Sequence, residues 1–388
     1  MLHGGSTSYQ AWAHQLCMTV DATVSKQAVF KRMNMQWVEV TRQIAIGALH
    51  KLVTNNDHKN KNLPFKRILI QDSTTVYLPD CIRQIYPGNF SRGKQKAAVK
   101  INLILNALTG ENLMFRILPF TKNEQSLGDS ILAVAKAGDL VLRDLGYHVV
   151  QVFKALNNAG VFYISRYRHA TNIYTAKDGK PIALKQLLRK HHVTDTLVLY
   201  SKQKIPVRLV AIKLDPKVAA ERIRKAKQNR DKRLNHSADY YACLQYAIYI
   251  TNTDAKVVSP DQVFKLYKCR WQIEIVFKAW KQSTKIEQLI PAERVHTQRV
   301  EAILWLYLAY LTWFDQRVAA EIRKINPDQN THPISIIKLY AFAIHQLNPL
   351  ETVNIQAMLL TYQYYMKHEK RSKPNAIEHL SNVIASFG

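Results

Sequence analysis

Hydrophobic positions recur along this chain with two different periods, and the changes of period divide it. Three-to-four spacing dominates the first 66 residues. Ser25 is placed to cap a helix through Ala28, Phe30 and Met33, and Val38 to Val53 carries the apolar stripe of another. The polar run Thr54 to Asn62, closed by Pro64, predicts a linker. Period two then takes over. Arg67 to Tyr77 reads as a strand. Ala97 to Leu108 alternates, turns through Thr109-Gly110-Glu111-Asn112, and pairs back over Leu113 to Leu118 as a hairpin. Gln125 to Lys136 reads as a helix, Asp139 to Arg143 as a short buried strand, Val149 to Asn158 as a helix and Val161 to Arg166 as a fifth strand.

That order, β-β-β-α-β-α-β with the first three strands antiparallel, predicts an α/β fold: a ribonuclease-H-like mixed sheet flanked by helices. From Ala170 to Ile250 the rhythm breaks. Asp195 to Leu214 alternates as two strands around Ser201 to Lys204, and Tyr240 to Thr251 reads as another strand. Between them Lys217 to Arg233 holds eight basic and two acidic residues and predicts a basic helix. This stretch is expected to be a β-rich insertion. The core resumes with a helix from about Pro260 to Ser283, and the C-terminal third is helical over Val295 to Arg317 and His332 to His345. The expected organisation is a helical N-terminal region at 1–63, a first core segment at 64–169, the insertion at 170–250, a second core segment at 251–320 and a helical C-terminal region at 321–388.

Within the resumed helix, Tyr267, Arg270, Glu274 and Lys281 stand at offsets of 0, 3, 7 and 14. At about 100° per residue they fall within an arc of roughly 60° on an unbroken helix. Leu266, Cys269, Ile273, Val276, Phe277 and Trp280 occupy a separate apolar arc. One face buries. The next presents a phenol, a guanidinium, a carboxylate and an ammonium, although any amphipathic surface helix mixes charges in this way.

Charge changes the picture. Lys and Arg number 55 against 28 Asp and Glu, a formal net charge of +27, which makes a polyanion the leading partner. No run of 18 apolar residues occurs, so no membrane span is expected. Cys17, Cys81, Cys243 and Cys269 form no CxxC pair and read as reduced thiols.

Three carboxylates fit that partner. Asp72 lies inside the first strand on the side of Ile68 and Ile70, Asp144 ends the strand expected beside it, and Glu274 comes from the helix expected to pack on the sheet. A carboxylate within an apolar strand is costly to bury unless a cation compensates it. Oxygen donors on separate elements suit hard divalent ions, and two such ions about 4 Å apart stabilise both the attacking and departing oxygens of a phosphodiester. The plainer alternatives are an Asx or Ser/Thr turn at Asp72-Ser73-Thr74 and a loop aspartate before Gly146.

The spacing Tyr267-x2-Arg270-x3-Glu274-x6-Lys281 resembles the YREK signature of the DDE transposases grouped around insertion sequence 4. QDSTTV around Asp72 and RDLGY around Asp144 are similar to that family's two aspartate motifs, and ISR, ending at Arg166, to the strand that follows. The resemblance spans roughly Lys66 to Thr312. It implies a ribonuclease-H-like core interrupted by a β-rich insertion. It also implies that Asp72, Asp144 and Glu274 bind two Mg²⁺ or Mn²⁺ ions, and that water frees a 3′-hydroxyl at a transposon end which then joins target DNA. By motif position Tyr267, Arg270 and Lys281 would contact phosphates near the cleaved end. Partners implied are double-stranded DNA and a second copy in a homodimer, in the bacterial cytoplasm at the nucleoid.

Two departures stand out. None of the six Trp lies between Ala170 and Ile250, where hairpin-forming members use one to stack on a flipped base, and Tyr246 is the aromatic expected to substitute. The N-terminal region is also shorter than the DNA-end-binding domain such enzymes carry, as expected of a truncated copy. Further phosphate contacts are expected from Arg222, Arg224, Lys225 and Lys227 on the basic helix. Lys100 is another, at the end of Cys81 to Lys100, which holds five basic residues and no acidic ones. The plainer alternatives are a solvated helix face for Lys217 to Arg233 and an exposed hairpin for Cys81 to Lys100, and Arg166 either reaches the phosphate or only ends its strand. Alternatives to a transposase are a ribonuclease-H-like nuclease that does not join strands and a catalytically dead DNA-binding remnant.

Overall fold

The stretches of period two become strands and those of three-to-four spacing become helices. The computed structural model describes residues 8–20, 22–53, 63–91, 93–189, 191–228, 237–283, 297–325, 335–343 and 376–387. Helices α1 (Tyr9–Val20), α2 (Lys26–Arg32) and α3 (Met35–Val53) precede strands β1 (Ile68–Leu78), β2 (Pro87–Ser91), β3 (Lys94–Asn106) and β4 (Glu111–Pro119). Then come β5 (Leu140–Arg143), α4 (Val150–Asn158), β6 (Phe162–Arg166), β7 (Ile173–Thr175), α5 (Leu184–Arg189), β8 (Val193–Tyr200) and β9 (Ile205–Lys213). Helices α6 (Pro216–Lys227) and α7 (Ala238–Cys243), strand β10 (Tyr246–Thr251), and helices α8 (Pro260–Lys268), α9 (Trp271–Ser283), α10 (Thr297–Ile325), α11 (Ile336–Ala343) and α12 (Ala376–Ala385) complete the order. The linker expected at Thr54 to Asn62 lies outside the described residues.

The described residues fall into two units. The first draws on 1–58, 72–122 and 271–378, the second on 59–71, 123–270 and 379–388. Strand β1 runs from the second into the first, and the division falls between Gln71 and Asp72.

In the first unit β3 pairs antiparallel with β4, from Val99 opposite Pro119 to Asn106 opposite Glu111, and with β2 through its opening residues. Helices α3 and α10 pack on each other and on β4. From Ala97 onward almost every residue of β3 is buried, so the strand is covered on both faces. Asp315 of α10 accepts a hydrogen bond from the Asn112 amide at 2.8 Å, and burial of its carboxyl raises its pKa to about 8.

In the second unit the strand order runs β1-β5-β6-β10-β9-β8-β7. Strands β1, β5 and β6 are parallel, with Ile68 opposite Leu140 and Leu140 opposite Phe162. Strands β6, β10, β9, β8 and β7 pair antiparallel. All four residues of β5 are buried, as a parallel strand between two others requires. With β3 and β4, these supply the five strands expected of a ribonuclease-H-like core. Strands β8, β9 and β10, expected as an insertion, extend the second unit's sheet beyond β6.

Four local expectations change. Residues 124–133 form a 3-10 helix, capped by the Asn123 side chain, where an α-helix over Gln125 to Lys136 is expected. The stretch Tyr240 to Thr251 is not one strand. Ser237 caps the short helix α7, and β10 starts only at Tyr246. Strand β2 has no counterpart in the expected elements. Finally, the helix expected over Pro260 to Ser283 is two helices. Ser259 and Gln262 start α8 with a reciprocal capping box, and a tight turn ends it, with the Cys269 amide bonding to the Leu266 carbonyl at 3.0 Å and the Arg270 amide to the Tyr267 carbonyl at 3.1 Å. A single arc for Tyr267, Arg270, Glu274 and Lys281 needs an unbroken helix, so it does not hold. The apolar residues do not form one arc either, but each buries as expected: Leu266 and Cys269 in the second unit, and Ile273, Val276, Phe277 and Trp280 in the first. Among the described residues no helix is long and apolar enough to cross a membrane.

Candidate active site

Asp144 follows directly on β5 and stands at the N-cap of the short 3-10 turn Leu145–Tyr147. The residue before it anchors that turn. Arg143 is fully buried, and its Nη2 donates to the carbonyls of Gly128 at 2.9 Å and Tyr147 at 2.7 Å. Its guanidinium lies 5.9 Å from the centre of the Phe153 ring, and burial lowers its pKa to about 10. Alternation along β5 turns Arg143 to one side and leaves Asp144 for the other.

With Asp144 the second unit gathers three other residues singled out from the sequence. The Tyr267 hydroxyl donates to Asp144 Oδ1 at 3.4 Å, and Arg270 Nε lies 3.9 Å from the same oxygen. Arg166, at the end of β6, places its guanidinium 5.6 Å from the centre of the Tyr267 ring. Tyr267 and Arg270 are buried. Burial first, with the Asp144 charge adding to it, keeps the Tyr267 phenol protonated well above the ordinary tyrosine range, so it serves as a donor.

Two participants were not singled out from the sequence. Tyr249 of β10 stacks on Tyr267 with centroids 4.9 Å apart. Its only signal was the alternation of YAIYIT. Arg143 carried no signal beyond its place beside Asp144.

Asp72 and Glu274 belong to the first unit. The Gln71 amide donates to the Leu127 carbonyl at 3.0 Å and to Ser130 Oγ at 2.8 Å, which turns Gln71 to one face of β1 and Asp72 to the other. Asp72 is half-buried, and its Oδ1 accepts the Ser73 amide at 2.8 Å, a local bond of the kind an Asx turn would also make. Glu274 is half-buried in the first turn of α9. That helix buries Ile273, Val276, Phe277 and Trp280, and the Trp280 indole donates to the Tyr340 hydroxyl of α11 at 3.2 Å. Lys281 is exposed in its last turn.

The basic residues separate by setting. Arg222 turns inward: its Nη1 donates to the Tyr246 carbonyl at 3.3 Å, and burial, then the nearby Arg166 charge, lower its pKa. Arg224 instead grips Glu221 with two bonds of 2.7 Å, Lys225 reaches the same carboxylate at 3.5 Å, and Lys227 lies over the Tyr241 ring at 5.9 Å. Tyr246 opens β10 half-buried. Lys100 donates to the Lys122 carbonyl at 2.9 Å and sits 5.9 Å from the Phe120 ring centre.

Aspartate and glutamate oxygens are the donor chemistry that Mg²⁺ and Mn²⁺ take, so these residue types fit such ions. Among the described residues no three His, Cys, Asp or Glu side chains form a metal cage.

Asp144, directly after a buried strand, thus lies beside a phenol and a guanidinium, with a second guanidinium over the phenol ring, on a chain of net charge +27. Residues 63–311 match the model of the transposase DDE domain, and the chain belongs to that family. It is a transposase, catalysing DNA cleavage and strand transfer. Among curated relatives it is 26% identical to the transposase for insertion sequence element IS231F of Bacillus thuringiensis subsp. israelensis, over 94% of this chain and 82% of that one. It is 25% identical to the transposase for IS231E of Bacillus thuringiensis subsp. finitimus, over 92% of this chain and 80% of the relative. The transposase for IS1151 of Clostridium perfringens is 27% identical over 74% of this chain and 65% of the relative. A solved piggyBac transposase synaptic complex with hairpin DNA matches 80% of this chain and 59% of that chain at 10% identity, with a TM-score of 0.41, too low to bear on the fold.

Proposed function

We propose that Asp72, Asp144 and Glu274 are the catalytic carboxylates of this transposase and together hold two Mg²⁺ or Mn²⁺ ions. When bound, such ions lower the pKa of an attacking water and stabilise the departing oxygen. The chain's own residues do the rest. Tyr267 donates a hydrogen bond to Asp144, and Arg270 sets a delocalised cation next to it, its Nε 3.9 Å from Oδ1. Arg166 and Arg222 are two positive charges held near each other at partial burial, an arrangement that a DNA phosphate relieves. Tyr249 backs the Tyr267 ring and keeps its hydroxyl aimed. The single observation that carries this reading is the gathering of Tyr267, Arg270 and Arg166 about Asp144 in a chain of the DDE family.

In this reading the 3′-hydroxyl freed at a transposon end attacks target DNA, two copies of the chain hold paired ends, and the enzyme acts in the cytoplasm on the nucleoid. Lys281, Lys100, Arg224, Lys225 and Lys227 are backbone contacts along the DNA, with no part in the chemistry. Tyr246 is the residue that stacks on a displaced base.

The test is joining of a labelled transposon end to plasmid DNA with Mg²⁺ or Mn²⁺. Asp72→Ala and Glu274→Ala are expected each to lower the rate by roughly a thousandfold or more, because losing a metal ligand removes activation of the nucleophile. Unchanged joining by either variant would overturn the catalytic assignment. Cleaved but never joined product would leave a nuclease in its place.

A further inference from the structure

The hairpin of β2 and β3 holds an aromatic ring away from the protein. Phe90 is 75% exposed, the largest exposure of any aromatic residue among the described residues. Several local devices put it there. Pro87 pairs with Ala97 and Phe90 with Gln95, so β2 spends one residue more than β3 between those pairs, which is a β-bulge. Bulges re-aim side chains. Gly88 permits this one. A Cβ at that position would come 2.8 Å from the Lys96 carbonyl oxygen and 2.9 Å from the Ala98 Cβ. Gly93, with φ of +77°, closes the turn before Lys94. At the base of the hairpin Tyr86 is buried and donates to Glu301 of α10, which fixes the point from which β2 projects.

The surroundings are positive. Arg83 and Lys94 are exposed on the same hairpin and the turn leading into it, and Ile85 in that turn is 55% exposed. Asp80, the acidic side chain there, is committed to Lys96 at 2.8 Å. An exposed apolar ring on a hairpin that also carries exposed cations matches the chemistry of distorted DNA, in which a ring slides against an unstacked base while cations hold the flanking phosphates. A protein partner would have to accommodate that charge.

We propose that the β2–β3 hairpin is a DNA wedge: Phe90 stacks on a base exposed at a gap or distortion, and Arg83 and Lys94 bind the neighbouring phosphates. The proposal rests on the transposase reading only for its choice of DNA. It needs none of the three carboxylates, and it assigns the hairpin a preference for opened over intact duplex.

The test uses the full chain carrying Asp72→Ala, so that no cleavage intervenes. The probes are a short duplex and the same duplex with an unpaired gap holding a fluorescent base analogue. The gapped probe is expected to bind about tenfold tighter than the intact one, in the range set by one base stacked on an aromatic ring. Phe90→Ala should erase that preference and the quenching of the analogue while leaving affinity for intact duplex unchanged. Phe90→Trp should keep both, which also excludes misfolding as the cause. Lys94→Glu should weaken both probes alike. Equal preference in Phe90→Ala and its parent would overturn the wedge and leave the strand-joining test of the catalytic residues untouched. So would a change of the DNA-free protein from dimer to monomer in Phe90→Ala, since the ring would then belong to a contact between copies of the chain.

Discussion

Two arginines beside carboxylates show how differently the two basic regions of this chain are built. On α6, Arg224 closes on Glu221 with two bonds of 2.7 Å, yet its side chain is 56% exposed. Beside Asp144, Arg270 Nε lies 3.9 Å from Oδ1, yet its side chain is only 8% exposed. The tighter pair is the less consequential one. Water and salt screen an exposed pair, and ordering two long side chains offsets much of its Coulomb gain. A buried cation has no such shelter, and removing a partner leaves the remaining charge badly solvated. Arg270 meets Asp144 at a longer separation than Arg224 meets Glu221, but does so largely out of reach of the solvent that screens the outer pair. Residue type alone made both regions candidates for DNA contact; burial tells them apart.

The sharpest way to break this comparison is to change the two arginines in parallel. Arg270→Lys keeps the charge but loses the planar fork, and strand joining is expected to fall by about a hundredfold, the scale of a lost charge-assisted contact at a buried site. Arg224→Lys in the same assay is expected to stay within about threefold of the parent, as befits a screened pair. Equal losses would mean that both arginines act on DNA in the same way, and the distinction drawn from burial would be wrong. Thermal unfolding of both variants separates loss of chemistry from loss of fold.

A second contrast sets an exposed carboxyl against a buried one. Arg224, first of all, holds the Glu221 carboxyl down to about 2, whereas burial drives Asp315 up to about 8. The signs oppose. A depressed carboxyl contributes stability above its unfolded pKa and loses it as pH falls. A raised one makes the folded state bind more protons than the unfolded state, so stability declines as pH rises from about 4 to about 8. That decline is at most about 1.4 kcal/mol per pH unit from one group. Asp315→Asn keeps a hydrogen-bonding oxygen for Asn112 but cannot titrate. Urea unfolding at several pH values should show a flatter profile for this variant over that window. An identical slope in both proteins would show that Asp315 is not the group responsible.

Much of the arrangement was legible in the residues. Strands β1, β5 and β6 announced themselves because a parallel strand buried on both faces must be apolar nearly throughout. Asp72 was visible as a carboxylate inside β1, and Asp144 as one directly after β5. The break between α8 and α9 was not. Cys269 and Arg270 include neither glycine nor proline, and both tolerate a helix, so the turn is imposed by packing. It matters for the site, because Tyr267 and Arg270 belong to the second unit and Glu274 and Lys281 to the first. Helix α7 was hidden for a related reason. Tyr240 and Tyr241 favour strands intrinsically, but the Ser237 cap and the packing of α7 on α5 prevailed. Tyr249 could not be found from spacing at all, since its place against Tyr267 depends on where β10 pairs.

The smallest effect offers the most exacting check on the exposed side of the comparison. Arg224→Ala with Lys225→Ala removes both partners of Glu221 on α6. If these pairs belong to a solvated face, folding stability should barely change, because solvent and salt screen exposed ion pairs. DNA affinity should fall modestly and by the same factor on every sequence, because backbone contacts carry no sequence information, and the salt dependence of binding should become shallower by about two charges. The fraction of bound ends that go on to join target DNA should not move. A drop in that fraction at saturating enzyme would place α6 in the reacting complex together with Arg222, and the basic helix would no longer divide into one inward arginine and an outer face that only holds the duplex.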